Sequence, residues 1–229
     1  MTQKQTAKNK TESSAPTSAK EVTDWIRDRI KIGQFVPGQR LVEADIIKTL
    51  NIPRSKVREA FQRLEAEGLI IIEEFRGASV KQLSIDEIRQ IYRTRMALEG
   101  LAAAEFATKG TPDQKKDLSE LQAELNKWVD SGDHDHFARL NNAWHNLIIE
   151  GAGNDYIRQF LDRLAIPIYR LLFSTFYSSK RIIDANNDHQ VITAAITEGR
   201  ADDAEKAMRD HISQGLESIS EIDARFYRS

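Results

Sequence analysis

From Ser84 onward the chain carries apolar residues at steps of three and four, with no alternating segment, and this confines its larger part to helices. The spacing predicts helices over about 84–108, 112–130, 134–151, 154–178, 181–198 and 201–225. Gly110-Thr111-Pro112, Ser131-Gly132-Asp133, Gly151 to Asn154, and Gly199 separate them. Ser84 with Glu87 is a capping-box pair, and Asp133 is a plausible cap for the helix behind it. Six helices with apolar faces and short connections make an all-α bundle.

The segment before Ser84 obeys a different pattern. Residues 1–18 hold almost no apolar side chains and are expected to be a disordered tail. A helix then starts near Ser18, with Val22, Trp25, Ile26 and Ile30 on one side, and Pro37-Gly38 makes a turn. A short helix from Glu43 to Leu50 has Ala44, Ile47 and Leu50 on one side. After Asn51-Ile52-Pro53 comes a helix that runs to Glu67. Val57, Ala60, Phe61 and Leu64 form its apolar stripe; Arg54, Ser55, Lys56, Arg58, Gln62 and Arg63 occupy its other faces. The period then changes. Leu69–Ile72 and Ala78–Lys81 read as two short strands around an Arg76-Gly77 turn. Helix, short helix, tight turn, basic helix and two-stranded ribbon is the order of a winged helix-turn-helix. The expected fold is therefore mainly α: a winged helix-turn-helix over residues 19–82 and a six-helix bundle over 83–229.

Charge divides the chain at the same place. Residues 1–82 carry 15 Lys and Arg against 11 Asp and Glu; the remainder carries 18 against 24. A basic front and an acidic back suit a first domain that meets an anionic partner. With no cysteine, a disulfide framework, an iron–sulfur cluster, a thiolate zinc site and a cysteine nucleophile are excluded. No run of 18 apolar residues exists and the first residues form no apolar signal core, so a soluble cytoplasmic protein without membrane contact is expected. Arg and Lys on the exposed face of the basic helix reach guanine edges or phosphate oxygens of duplex DNA.

Three stretches of the first domain resemble the GntR family of bacterial transcription regulators. They are Pro37-Gly38-Gln39-Arg40-Leu41-Val42-Glu43, the run from Ile52 through Pro53-Arg54-Ser55-Lys56-Val57-Arg58 to Ile70, and Arg76-Gly77-Ala78-Ser79-Val80. The resemblance implies a homodimer on a palindromic operator. Arg54 and Arg58 match the recognition-helix arginines, Gly77 the wing glycine that lets the wing tip enter the minor groove, and Arg40 a basic position near the phosphate backbone. Ser55, Lys56, Arg63 and Arg76 complete the expected DNA-facing set. Ala44 stands where some members carry an arginine. Pro53-Arg54-Ser55-Lys56 replaces the usual Ser-Arg-Thr-Pro.

In the second domain, His145, His189 and His211 lie on the apolar faces of three different helices. His134 and His136 sit in a polar stretch and are read as surface residues. Inward imidazoles from three helices suit a divalent metal, and Asn141, four residues before His145, falls on the same helix face. Arg95 and Arg170 lie in apolar surroundings and need partners. Two readings stand: internal pairing, as of Arg95 with Glu99, or a clamp on the carboxylate of a small effector, with Trp144, Tyr169 and Phe173 lining an apolar pocket.

This half resembles the FCD effector domain of the FadR subfamily. The resemblance rests on Tyr92-Arg93-Thr94-Arg95-Met96-Ala97-Leu98-Glu99, Asn141-Asn142-Ala143-Trp144-His145, His189 to Arg200, and Arg209-Asp210-His211. Six helices rather than seven resemble its VanR-like branch. Many FCD domains hold a metal with one Asp and three His; the histidine positions match His145, His189 and His211, and the Asp position is Asn141 here. Zinc is the first choice, with nickel or manganese open. The expectation is a repressor, not an enzyme, released when a small organic acid binds near the metal. Two alternatives are a metal-sensing regulator and a metal-dependent hydrolase. Against the hydrolase, no HExxH-type motif or paired general base accompanies the histidines.

Overall fold

The computed structural model describes residues 18–32, 34–165 and 179–226. The expected tail lies outside them except for Ser18. The first domain is built from α1 (Ala19–Ile32), β1 (Arg40–Leu41), α2 (Glu43–Leu50), α3 (Arg54–Ala66), β2 (Ile70–Glu73) and β3 (Gly77–Val80). Val22, Ile26 and Ile30 of α1 meet Val57, Ala60, Phe61 and Leu64 of α3 in one core with Leu41, Leu69, Ile70 and Val80. Asn51 ends α2 in the left-handed conformation, which asparagine tolerates, and Pro53 caps α3 from outside with an extended backbone.

Two sequence expectations need correction here. The wing has three strands, in the order β1-β3-β2, because Arg40 and Leu41 pair antiparallel with Ser79 and Ala78. A two-residue strand carries no period, so its sequence is silent. The buried face of α2 is also turned: Ile46 and Leu50 are buried while Ala44 is exposed. In a two-turn helix both faces offer apolar residues, and packing against α3 selects one.

The second domain comprises α4 (Ile85–Lys109), α5 (Pro112–Trp128), α6 (His134–Gly151), α7 (Asp155–Ala165), α8 (Ser179–Thr197) and α9 (Ala201–Phe226). Ser84 and Glu87 close the expected capping box on α4; Thr111 and Gln114 make a second on α5, behind Pro112 at the first turn. Asp133 caps α6 by accepting the His136 backbone N–H. The helix expected over 154–178 is described as far as Ala165, so the count of six rests partly on residues outside the description. Phe106, Leu118, Leu125, Phe137, Trp144, Ile148, Ile192 and Met208 form a core separate from that of the first domain. Gly151 lets α6 close over α4: a Cβ there would sit 2.5 Å from Cδ2 of Phe106.

Candidate functional site

The winged domain presents every sequence-expected DNA residue on an outer face. Arg40, Arg54, Ser55, Arg58, Arg63, Arg76 and Gly77 are exposed, and Lys56 is half-buried. At about 100° per residue, Arg54 and Arg58 share one flank of α3, and Lys56 and Arg63 share the other. A glutamate ties each flank. Glu43, at the start of α2, accepts from Nε of Arg58 at 3.1 Å and lies 3.3 Å from Nε of Arg54. Glu59 pairs with Arg63 at 2.8 Å and Lys56 at 3.5 Å. At the wing, Gly77 has φ +83°, a backbone that glycine adopts freely, and the Arg40 guanidinium lies beside it. The sequence reading missed Phe75, which stands 97% exposed at the wing tip with φ +62°. Its isolation between Glu74 and Arg76 was the available signal.

The second domain brings together the three histidines the sequence singled out. His145 comes from α6, His189 from α8 and His211 from α9, and each is at most 5% exposed. One ligand atom from each lies within 4.8 Å of the others. His145 Nδ1 is 2.8 Å from Glu99 Oε2, and His211 Nδ1 is 3.1 Å from Asp188 Oδ2. Nε2 of His189 is 3.2 Å from Nε2 of His211, and Nδ1 of His189 is buried with no hydrogen-bond partner among the described residues. The His189 ring stacks on Trp144, with centroids 4.2 Å apart, and the Trp144 Nε1–H donates to Thr193 Oγ1.

Asn141 is buried one turn before His145. His134 and His136, expected at the surface, are half-buried, and the His136 ring stacks on Trp128 with centroids 3.7 Å apart. Arg95 is buried and donates from Nε to Glu99 Oε1 at 2.7 Å, which is the internal pairing the sequence allowed. Glu99 therefore spans Arg95 and His145. Trp144 is fully buried; Tyr169, Arg170 and Phe173 lie outside the described residues. Asp188 carried no motif and was missed. Glu99 was legible only as an i,i+4 partner of Arg95.

Burial dominates the electrostatics. It pushes His189 well below the usual imidazole range, reinforced by His211 and His145. Burial likewise lowers His211 to about 4, although Asp188 opposes the shift. Burial would raise Glu99, but Arg95 and His145 overcome it and bring the carboxyl down to about 2. Neutral imidazoles with unprotonated nitrogens are the form that binds metal, so the donor chemistry fits a divalent ion.

A pH prediction follows for the metal-free protein. His211 has a folded pKa of about 4 against 6.5 in the unfolded chain. As the pH falls from 6.5 toward 4, the unfolded chain takes up a proton that the native site refuses. Stability is therefore full above about 6.5 and falls by on the order of 3 kcal/mol at pH 4. Urea midpoints measured across this range should drop steeply in the wild type and less in His211→Gln. Parallel profiles for the two proteins would exclude the effect.

A winged head carrying two arginine flanks, followed by a helical domain with a buried polar centre, defines a two-domain transcription regulator that binds DNA. Residues 18–80 match the model of the bacterial regulatory proteins of the gntR family, and residues 90–214 match the FCD domain. The chain belongs to this GntR/FCD family of transcription regulators. It is similar to the Escherichia coli repressor GlaR, 26% identical over 82% of this chain and 89% of that one. It is also similar to a probable repressor of a D-xylose utilization operon in Paenarthrobacter nicotinovorans, 27% identical over 87% and 88%. The solved structure of E. coli McbR/YncC shares the fold, with TM-score 0.76, 18% identity, and coverage of 89% and 97%. Both matched families are regulators, not enzymes. Among the described residues no helix is long and apolar enough to cross a membrane.

Proposed function

We propose that this chain is a cytoplasmic repressor that binds a palindromic operator as a homodimer and is released by a small carboxylate effector. Arg54, Ser55, Lys56, Arg58 and Arg63 on α3 face the major groove. Arg76 and Gly77 bring the wing to the minor groove, and Arg40 approaches the backbone. Asn141, His145, His189 and His211 hold a divalent ion, zinc by preference and nickel or manganese by availability. That ion, once held there, would supply positive charge and Lewis acidity toward an effector carboxylate.

The observation that carries the effector half is the convergence of three imidazoles, each at most 5% exposed, with one ligand atom from each within 4.8 Å of the others. Trp144 walls the site beside His189, and Arg95 stands one carboxylate away from it. The effector acts by binding one arrangement of the two domains better than another, which is the only way it can shift DNA affinity.

The testing experiment is a set of thermal melts on the purified protein, after chelator stripping and with zinc, nickel, manganese and simple organic acids. A ligand at 100 times its Kd stabilises by about 2.7 kcal/mol. An acid that stabilises only the metal-loaded protein, and lowers its affinity for operator DNA in fluorescence anisotropy, supports the reading. No response to chelator or metals makes the histidines plain core residues. A metal response that by itself changes DNA affinity supports the metal-sensor alternative; the complete imidazole cluster is what favours keeping it.

The ligand set yields a second expectation. The Asn141 amide can donate an oxygen but no charge, so Asn141→Asp should tighten zinc binding about tenfold or more, read by competition with a chromogenic chelator. Equal or weaker affinity in the variant removes Asn141 from the ligands.

A further inference from the structure

The three imidazoles are not equivalent, and hydrogen-bond bookkeeping separates them. A carboxylate accepts only, so the His145 Nδ1–H donates a hydrogen bond to Glu99, and the His211 Nδ1–H donates one to Asp188. In its neutral form each ring is thereby held as the tautomer whose Nε2 carries a lone pair. His211 Nε2 is 3.2 Å from His189 Nε2. Since His211 Nε2 is the acceptor in that contact, His189 must donate, and its proton sits on Nε2. The leftover lone pair of His189 is then on Nδ1, the atom that is buried without a partner among the described residues. The orphaned atom and the two carboxylates give one consistent assignment.

We propose that Glu99 and Asp188 are positioning residues of the metal site, each presetting one imidazole for ligation, and that His189 is the ligand that must change tautomer before a metal can bind. This rests on the metal reading above. Glu99 is not itself offered as a ligand: its two oxygens are committed to Arg95 Nε and His145 Nδ1. Both carboxylates lie far from their histidines in sequence, 46 residues for Glu99 and 23 for Asp188. Carboxylates behind ligating imidazoles orient the ring and raise its basicity, and losing one typically costs about 10- to 100-fold in metal affinity. His189 has no such support. Its Nε2 proton must leave that atom as the metal arrives, which weakens its hold relative to the other two.

The test has two readouts on the full-length protein. Long-range ¹H–¹⁵N spectra of the metal-free protein report which ring nitrogen carries the proton. His145 and His211 should show protonated Nδ1, and His189 protonated Nε2, moving to Nδ1 on adding zinc. Chelator competition then gives zinc affinity. Asp188→Ala should lower it about 10- to 100-fold, with Asp188→Asn recovering part because its amide oxygen still accepts. Glu99→Gln should act similarly; where it fails to fold because Arg95 loses its carboxylate, Asp188 alone decides. Cobalt absorption should keep its shape in the Asp188 variants, since the ligands are unchanged.

Protonated Nε2 on His145 or His211 overturns the proposal, and so does zinc affinity in Asp188→Ala within threefold of wild type. If the wild type takes up neither zinc nor cobalt, the metal reading falls first and this one with it. Wild-type binding with unaffected variants overturns this one alone.

Discussion

Arg58→Ala is expected to abolish specific operator binding while leaving the fold intact. The Arg58 side chain is 63% exposed, and its pairing with Glu43 is a surface ion pair, worth at most about 1 kcal/mol to stability. Its use is on DNA. A guanidinium bidentate to a guanine edge discriminates by about 1–3 kcal/mol, and the proposed dimer uses the residue twice. The loss is then roughly 30-fold to about 20,000-fold, because each 1.4 kcal/mol is a factor of about ten. Affinity for unrelated DNA should change far less, since phosphate contacts made by other basic residues remain. Fluorescence anisotropy with operator and scrambled duplexes, at two salt concentrations, reads both numbers. Undiminished operator affinity removes Arg58 from base reading.

Glu99→Ala is expected to destabilise the second domain strongly, although Glu99 is a polar side chain in an apolar core. Glu99 is 1% exposed and accepts from Arg95 and His145. Removing it strips a buried guanidinium of its carboxylate, a change that costs about 3–5 kcal/mol. That is a large share of a native stability of about 5–15 kcal/mol. For a domain of this size it corresponds to a fall in melting temperature of roughly 6–20 °C. Replacing the pair together, Arg95→Met with Glu99→Leu, should recover much of the loss, because no charge is then left buried. A single-variant melt within 2 °C of wild type, on the order of 1 kcal/mol, contradicts the coupling.

The two predictions concern residues of different legibility. Arg58 could be singled out from the sequence because its helix announces itself: Pro53 before it, the stripe Val57, Ala60, Phe61 and Leu64 within it, and Gly68 after it. Those signals are local, and once the stripe is buried the arginines have to face outward. The capping box at Ser84 and the inward turn of His145, His189 and His211 are local in the same sense. Periodicity failed where the element was too short to have any, as in the strand Arg40–Leu41 and the turned face of α2.

For the longer described helices the sequence by itself was enough to place the segments, their ends and their apolar sides, because those choices depend on neighbours within one turn of chain. The stretches around the recognition helix and wing resemble the GntR family, and the match of residues 18–80 and 90–214 shows the membership. The tertiary structure alone decided what each inward or exposed group meets. Glu43 joins two arginines 11 and 15 residues ahead, Glu99 reaches His145, and Asp188 reaches His211. A helix face fixes the direction of a side chain but not the element packed opposite it. Partnership between helices is settled only when the whole core closes, and with it the lowered pKa values and the burial of His189 Nδ1, which has no hydrogen-bond partner among the described residues.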